Sequence, residues 1–321
     1  MDIFNKANIL NRMKLLKERG VLGLNARNAE IILPQNERRL YPLVDDKVKT
    51  KELAMANNIP VPEMYYVVRS PREIKTDFFN AIRPYKEFAI KPAHGQCGEG
   101  IIIVSDVVNE HYKLIDGTRM TKEDMIYALS TIMSGVFSLG GQLDQVLVEY
   151  RIKFDPVFDD ITFRGVPDIR VITYRGVPAM SMLRLPTSYS NGKANLHQDG
   201  IGVGINISTG KSMKAVFRNQ IITIHPDTFV DIQGIQIPYW DKILELASRS
   251  YEVTNLVYQG VDIVIDKDLG PLILELNARP GLNIQIANQK GIRHRLELID
   301  KHKDNLNTLE ERLSFAKQYF V

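Results

Sequence analysis

Short apolar runs alternate along the chain with longer segments in which apolar residues recur at helical spacing. Alternation of apolar and polar positions predicts strands, and apolar positions three or four residues apart predict helices. Most predicted strands follow one another through short turns, so we expect an α+β protein with antiparallel sheets rather than a doubly wound parallel sheet. The predicted strands cover 63–68, 87–91, 101–105, 145–150, 168–174, 179–185 and a hairpin within 260–282, and the predicted helices cover about 46–57, 71–82, 121–138, a segment opened by Pro238, and about 292–317.

Acidic and amide side chains interrupt the most apolar of these segments, the hairpin GVDIVIDKDLGPLILELNARPGL at 260–282. The turn that its sequence favours sets Asp266 opposite Pro271. In that register Asp262 lies directly across from Glu275, with the two Cβ atoms roughly 4.5–5.5 Å apart. The pattern therefore predicts two facing carboxylates in a largely buried strand pair.

These facing carboxylates raise a chemical question. Two ionised carboxylates at that distance repel each other unless a cation lies between them. Asn277 lies two residues beyond Glu275 on the same strand face and adds a third oxygen. Three hard oxygen ligands form a partial shell that Mg²⁺ accepts. From spacing alone, the alternative of a polar, solvent-facing side of an antiparallel pair stays open.

A second group of residues suggests phosphate binding. Lys91 ends a predicted strand, and Gly95, Gly98 and Gly100 follow it before the next strand begins. Glycines let consecutive backbone N–H groups turn toward an anion, and a lysine supplies a point charge. The pattern matches neither a Walker loop nor the dinucleotide fingerprint. A flexible hairpin turn is the alternative for this segment.

Composition narrows the function classes. The net charge is +3, from 41 basic and 38 acidic residues, which is too balanced to indicate nucleic acid or a membrane surface as a partner. No apolar run approaches the ~20 residues of a membrane-spanning helix. The single cysteine, Cys97, leaves no internal disulfide framework, so a reducing cytoplasm is the expected compartment.

Taken in order, the motifs DDKVKTKELAMANNIPVP, AIKPAHGQCGEGI, VLVEYRI, PDIRVI, KANLHQDG and the hairpin resemble those of the ATP-grasp superfamily. They look most like its alpha-L-glutamate ligase branch, which includes the ribosomal-protein glutamate ligases. The resemblance covers about 45–285. It implies two α+β lobes with antiparallel sheets that clasp ATP: an N-terminal helical wrapping segment at 1–44, a first lobe at 45–150 and a second lobe at 151–321. Fewer residues precede the first lysine motif than in most members, so substrate recognition does not carry over.

The resemblance also implies ligands for nucleotide and metal. Two Mg²⁺ ions, or Mn²⁺ in their place, are expected at Asp262, Glu275 and Asn277. The ATP-binding residues implied are Lys47 and Lys91 at the phosphates, Gly95, Gly98 and Gly100 in a lid over them, Glu149 and Tyr150 at the adenine, Asp168 at the ribose, and Lys193 and Asn195 near the transferring phosphate.

The activity implied is ATP-dependent joining of a carboxylate to an amine through an acyl phosphate. Arg170, Arg184 and Arg279 are the candidate catalytic residues, because a guanidinium grips a carboxylate with two parallel bonds. For Arg184, a surface arginine on a strand is the alternative. The expected partners are an amino acid or other carboxylate donor, glutamate by resemblance only, and a peptide, protein or small-molecule amine. A kinase on the same fold and a non-catalytic nucleotide-binding protein are the alternative functions. An amphipathic helix is also predicted at the start of the chain, ending at Gly20, and this first helix and the basic last helix are possible homo-oligomer contacts.

Overall fold

Helices account for much of the computed structural model, which describes residues 6–95 and 98–321. A π-helix at Arg27–Ile32 connects α2 to α3. The α-helices of the described residues are α1 (Lys6–Glu18), α2 (Leu24–Ala26), α3 (Leu33–Gln35), α4 (Pro42–Asp45), α5 (Lys47–Ala56), α6 (Pro71–Thr76), α7 (Phe78–Ile82), α8 (Lys122–Met133), α9 (Trp240–Thr254), α10 (Asn283–Asn288), α11 (Arg293–His302) and α12 (Leu309–Tyr319).

The strands form two antiparallel sheets, which confirms the predicted α+β class. One sheet has the order β1-β6-β2-β3-β4-β5 and the other β11-β10-β9-β8-β7-β12-β13. The strands are β1 (Met64–Val68), β2 (Phe88–Pro92), β3 (Ile102–Val108), β4 (His111–Leu114), β5 (Arg119–Met120), β6 (Val146–Glu149), β7 (Asp168–Tyr174), β8 (Val177–Leu185), β9 (Ile201–Ile205), β10 (Ser212–Phe217), β11 (Gln220–Ile222), β12 (Tyr258–Asp266) and β13 (Gly270–Asn277).

The chain divides into two compact units. The smaller unit is Pro42–Lys153, and the larger unit combines Met1–Tyr41 with Phe154–Val321. Each unit contains one of the two sheets.

In the smaller unit, helices cover one face of the six-stranded sheet. The core of that face includes Ile74 of α6, Phe78 of α7 and Leu129 of α8, packed against Phe88 and Val148 of the sheet. Part of the opposite face is covered by α5, whose Val48 packs with other apolar side chains, namely Val67, Ala93 and Leu147. The rest of that opposite face carries the charged side chains of the candidate site.

The larger unit is built on strands that are buried along their whole length. All nine residues of β8 and all nine of β12 are buried. Helix α9 packs against β7, β8 and β12. The indole of Trp240 donates from Nε1 to the Ile207 carbonyl at 2.7 Å and fixes the start of α9. A sheet buried in this way gives a rigid base for any side chain that projects from it.

Residues 21–41 extend the larger unit across its sheet. The Asn36 amide donates to the Tyr258 carbonyl at 2.6 Å and to the Ala278 carbonyl at 3.3 Å. Its side-chain oxygen accepts from the Tyr258 N–H at 3.0 Å. Asn36 therefore links β12 to the loop that follows β13.

Two predicted helices are shorter than expected. The segment at 71–82 is two helices, because the chain breaks at Asp77, whose φ of −121° lies outside the helical range. The segment at 292–317 is likewise divided into α11 and α12. A new capping box at Thr308 and Glu311 starts α12 afresh. In α1, the side chains of Met13, Leu15 and Leu16 are exposed.

Candidate active site

Asp262 and Glu275 are partners across the β12–β13 ladder, as the sequence predicts. The predicted register at the turn was wrong, however, since Asp266 pairs with Gly270 and not with Pro271. The ladder then shifts by one residue between Ile263 and Asp262, which leaves Leu274 without a partner. This β-bulge restores the pairing of the two carboxylates.

Two arginines donate hydrogen bonds to the Asp262 carboxylate. Arg170, its partner on β7, donates from Nε to Oδ1 at 2.6 Å and from Nη2 to Oδ2 at 2.5 Å. Arg184 of β8 donates from Nη2 to Oδ2 at 2.8 Å. Burial alone would raise the pKa of Asp262, but the charges of these two arginines more than offset it and the pKa is lowered.

Arg184 is the centre of a buried ionic cluster. Its guanidinium is bidentate to Asp168, also contacts Asp262, and donates from Nη1 to Asn195 Oδ1 at 2.9 Å. The side chain is 5% exposed, so the surface alternative for Arg184 was wrong. Burial raises the pKa of Asp168 to about 6; the charge of Arg184 opposes this and that of Asp262 adds to it. The structure thus gathers several predicted site residues in the larger unit.

Glu275 and Asn277 are the other two predicted metal ligands beside Asp262. Glu275 is half-buried, and no described side chain forms an ion pair or hydrogen bond with it. Asn277 approaches Asp262 through its Nδ2, 3.5 Å from Oδ2, which leaves its own side-chain oxygen for another ligand. Within the described ranges no group of three His, Cys, Asp or Glu side chains could hold a metal. The predicted set of two carboxylates and one amide oxygen is of a different kind, and its chemistry suits Mg²⁺.

In the smaller unit, the glycine turn is tied to the start of α5. The Lys47 N–H donates to the Ala93 carbonyl at 3.0 Å, and Lys47 Nζ donates to the Gly95 carbonyl at 2.5 Å. A Cβ at Gly95 would lie 2.2 Å from Cγ of Pro92, so no larger residue fits without movement. Gly98 adopts a φ of +72°, which favours glycine. Gln96 and Cys97 lie outside the described residues, and so does the sequence-based interpretation of Cys97 as a small filler side chain, with a redox or catalytic thiol as the alternative. Gly100 ends the turn at a φ of +71°.

His94 anchors the other side of this turn. Its N–H and its ring Nδ1 both meet the Asp144 carboxylate, the ring at 2.7 Å. Asp144 also accepts from the Ser138 hydroxyl at 2.5 Å. The ring Nε2 lies 3.6 Å from Oδ2 of Asp46, the N-cap residue of α5. The first end of the turn is therefore fastened by Lys47 and by the contacts of His94 with Asp144 and Asp46.

Glu149 lies between two lysines on the sheet face that α5 partly covers. Its Oε1 is 2.5 Å from Lys91 Nζ and its Oε2 is 2.9 Å from Lys51 Nζ. Burial alone would raise the pKa of Glu149, but Lys91 and Lys51 lower it overall. The side chain is fully buried and its carboxylate forms ion pairs with these lysines, so in this structure it is not exposed for contact with adenine. Lys51 was missed in the sequence, although it lies one helical turn after Lys47 on α5.

The remaining predicted residues lie apart from these clusters. The Tyr150 N–H donates to the Glu63 carbonyl at 2.8 Å, and its side chain lines a shallow cavity of about 230 Å³. Lys193 is half-buried in the loop that leads to Asn195. Arg279 is exposed, with its guanidinium 5.3 Å from the centre of the Tyr41 ring.

The model of the sugar-transfer associated ATP-grasp family matches residues 26–301. The chain belongs to this family. The ATP-grasp prediction is thereby confirmed, while the alpha-L-glutamate ligase branch, which carries a different description, stays a prediction. No match was found among the curated proteins.

Similar solved structures of other proteins share low identity with this ATP-grasp chain. The ATP-grasp ligase PsnB, complexed with minimal precursor, is 16% identical with a TM-score of 0.43; the match covers 82% of this chain and 60% of PsnB. D-cycloserine synthetase DcsG is 16% identical with a TM-score of 0.45, over 82% of this chain and 72% of DcsG. D-alanine–D-alanine ligase from Bacillus anthracis has the same identity and TM-score, over 82% of this chain and 67% of the ligase. This ATP-grasp chain therefore spans less than two thirds of the length of PsnB. None of the helices in the described ranges is long and apolar enough to cross a membrane.

Proposed function

We propose that this ATP-grasp protein is an ATP- and Mg²⁺-dependent ligase that joins a carboxylate to an amine. The observation that carries the proposal is the pairing of Asp262 with Glu275 beside Asn277, with Arg170 and Arg184 bound to the same aspartate. The proposed metal ligands would then lie next to side chains of the kind that bind carboxylates and phosphates.

The smaller unit would supply cations for the nucleotide phosphates. Lys51, Lys91 and Glu149 carry a combined charge of +1, so the cluster keeps one positive charge for an anion. Lys47 Nζ donates to the Gly95 carbonyl, so this lysine would act mainly by holding the turn. The smaller unit would then correspond to the lobe predicted at 45–150, and the larger unit to the lobe predicted at 151–321.

The proposed reaction has two steps. A carboxylate oxygen attacks the γ-phosphorus of ATP, the bond to the β–γ bridging oxygen breaks, and ADP leaves an acyl phosphate. The amine then attacks the acyl carbon, the C–O bond to phosphate breaks, and the nitrogen loses a proton. Positioning and charge neutralisation supply most of the rate enhancement in phosphoryl transfer. Bound at Asp262, Glu275 and Asn277, Mg²⁺ would neutralise charge on the phosphate oxygens.

The two buried arginines would have different roles. Arg184 is saturated by Asp168, Asp262 and Asn195, so we propose that it positions these side chains. Arg170 has more freedom, because only Asp262 engages its guanidinium among the described residues and its side chain is 13% exposed. Arg170 is therefore the stronger candidate to contact the acid substrate or the acyl phosphate.

The substrates are proposed only as classes. The donor would be an amino acid or another small carboxylic acid, with glutamate as the member that the sequence resemblance favours. The acceptor would be an amine on a peptide, a protein or a small molecule. The family description, sugar-transfer associated, makes amino sugars an additional class of amine to test.

Hydroxylamine trapping tests the proposal directly. The protein is incubated with ATP, Mg²⁺, hydroxylamine and pools of amino acids and other carboxylic acids, and ADP and hydroxamates are measured. A hydroxamate that requires both ATP and one of the acids supports an acyl phosphate, and Glu275→Gln should abolish it. A stable phosphorylated product would indicate a kinase, and ATP binding with no turnover across the pools would support a non-catalytic nucleotide-binding protein.

A further inference from the structure

Arg27 is a buried guanidinium whose hydrogen-bond partners are all uncharged. Its Nη1 donates to the Pro280 carbonyl, and its Nε and Nη2 donate to Asn28 Oδ1 at 3.1 and 2.8 Å. The residue is 5% exposed. No carboxylate of the described chain pairs with it, whereas Arg184 has two such partners. Buried charges in proteins are normally paired, because an isolated one is costly.

The contact with Pro280 places Arg27 near the β12 face that carries Asp262. Pro280 packs on Gly260, where a Cβ would lie 2.7 Å from the proline Cβ. Gly260 lies between Tyr258 and Asp262, and all three residues share one face of the strand. The loop after β13 therefore folds back over β12, and Arg27 contacts this loop through the Pro280 carbonyl.

Tyr258 on the same face has a buried hydroxyl that lacks a partner. The residue is 0% exposed, and its OH makes no hydrogen bond within the part of the chain that the structure describes. Buried polar groups are nearly always hydrogen-bonded. Burial raises the pKa of Tyr258 to about 12, and the charges of Arg27 and Arg170 partly oppose that rise. A phenol donor and a guanidinium that interact electrostatically therefore both have unused hydrogen-bonding capacity.

We propose that Arg27 and Tyr258 form an oxyanion subsite that binds a carboxylate of the ligase substrate. The subsite rests on the proposed function and adds residues from the N-terminal segment to it. Three hydrogen bonds occupy Arg27, so two of its five N–H groups remain for a ligand. A single positive charge and one hydroxyl donor match a monovalent, planar carboxylate better than a phosphate dianion.

The local backbone supports a binding role. Arg27 begins the π-helix Arg27–Ile32, and such segments occur frequently at functional sites. Asn36 fixes the backbone of Tyr258 by hydrogen bonds in both directions. Both halves of the subsite are thus held by the same short segment. Burial lowers the pKa of Arg27, and the positive charge of Arg279, which is exposed and precedes Pro280, lowers it further.

Carbon-13 NMR of the full chain labelled at tyrosine Cζ tests the subsite. The chain has 13 tyrosines, and the signal lost in Tyr258→Phe identifies Tyr258. Sodium acetate, succinate and L-glutamate are each titrated against sodium chloride at constant ionic strength, with inorganic phosphate as a separate arm. We expect at least one carboxylate to shift the Tyr258 signal saturably, and Arg27→Met to weaken that binding at least about tenfold. Arg19→Met, at an exposed position, is the matched control and should leave the binding unchanged.

The outcomes separate the subsite from the proposed function. Binding of a non-hydrolysable ATP analogue is followed in the same samples. Intact nucleotide binding with no carboxylate effect on Tyr258 overturns the subsite alone, and absent nucleotide binding overturns the proposed function. A shift by phosphate only, or one that persists in Arg27→Met, also contradicts the subsite. If Arg27→Met does not fold, the carboxylate-dependent rise in Tm is compared between wild type, Arg27→Lys and Tyr258→Phe. A rise retained in full by both variants overturns the assignment.

Discussion

Asp262 and Glu275 face each other across the β12–β13 ladder only because a β-bulge at Leu274 shifts the register by one residue. Without the bulge, the pairing at the turn would set Asp262 opposite Leu274. A one-residue shift in a strand moves its side chains to the other face. Bulges are frequent next to active sites, where they redirect a side chain. The bulge therefore places Glu275 where a cation could be shared with Asp262.

Replacing Glu275 should separate catalysis from stability. Glu275→Gln keeps the shape of the side chain and removes one ligand charge, so we expect ATP turnover to fall at least about a hundredfold. Because Glu275 has no ionic or hydrogen-bonding partner in the described ranges, the free energy of unfolding should change by less than about 0.5 kcal/mol. ADP release and urea unfolding provide the two measurements. Asp268→Asn, on the turn of the same hairpin, is the control; equal loss of activity in both variants would contradict the metal assignment.

Replacing Glu149, in contrast, should mainly reduce the stability of the fold. Glu149→Gln leaves Lys51 and Lys91 buried without a counter-charge, which should destabilise the fold by about 3–5 kcal/mol. The pKa of Glu149 is lowered in the fold, so its contribution is present above the unfolded value of 4.5 and is lost as the pH falls below it. Unfolding measured against pH should show this acid loss in wild type and not in the variant. An unchanged unfolding curve for Glu149→Gln would show that the buried ion pairs contribute nothing.

Removing Arg184 should make stability depend on pH. In Arg184→Met, Asp168 and Asp262 face each other without the shared guanidinium, and the variant should lose about 3–5 kcal/mol. The pKa of Asp168 is already raised to about 6 in the fold and should rise further. When the pKa of a carboxyl is raised in the folded state, the free energy of unfolding falls as the pH rises through that pKa. The deficit measured by urea unfolding should therefore be larger at about pH 8 than at about pH 5.

The control for this experiment is the exposed pair formed by Arg218 and Asp199. Arg218→Met should leave stability nearly unchanged at both pH values, because solvent screens such pairs. A deficit in Arg184→Met that is the same at both pH values would contradict the account of the buried cluster.

The glycine turn should be sensitive at Gly95. A Cβ there would collide with Pro92, so Gly95→Ala should displace the turn and weaken the affinity for ATP at least about tenfold. A fluorescent ATP analogue provides the measurement. Gly23→Ala is the matched control, because a Cβ at Gly23 meets no atom within 4 Å. ATP affinity that is equal in Gly95→Ala and wild type would remove the turn from the proposed nucleotide site.

The sequence was sufficient for features that follow from local patterns. The apolar alternation located β7 at its observed bounds, and either Asp45 or Asp46 was expected to cap α5, of which Asp46 is the observed N-cap residue. The facing of Asp262 and Glu275 was also predicted, although through a register that was wrong at the turn. Two differences compensated: the turn is one residue shorter than expected, and the bulge restores the count. A bulge depends on packing across the sheet, which a strand pattern does not contain.

Long-range pairings could not be read from the sequence. Arg170 and Arg184 were predicted to meet a substrate, but both bind Asp262, which lies 92 and 78 residues away in the chain. The pairing of Lys51 with Glu149 has a similar cause, since the two residues meet only when α5 packs on the sheet. The sequence did not indicate any role for Arg27, because the Pro280 carbonyl that it contacts lies in the distant loop after β13. The roles of the predicted site residues in binding and catalysis stay predictions until they are measured.

The central claim is that Asp262, Glu275 and Asn277 hold the metal of an ATP-dependent ligase. Electron paramagnetic resonance of Mn²⁺, titrated with and without a non-hydrolysable ATP analogue, tests it most directly. The account predicts that the analogue increases the amount of protein-bound Mn²⁺, and that Glu275→Gln loses this increase while Asp268→Asn retains it. Bound Mn²⁺ that is the same in wild type and Glu275→Gln, at equal saturation with the analogue, would contradict the account.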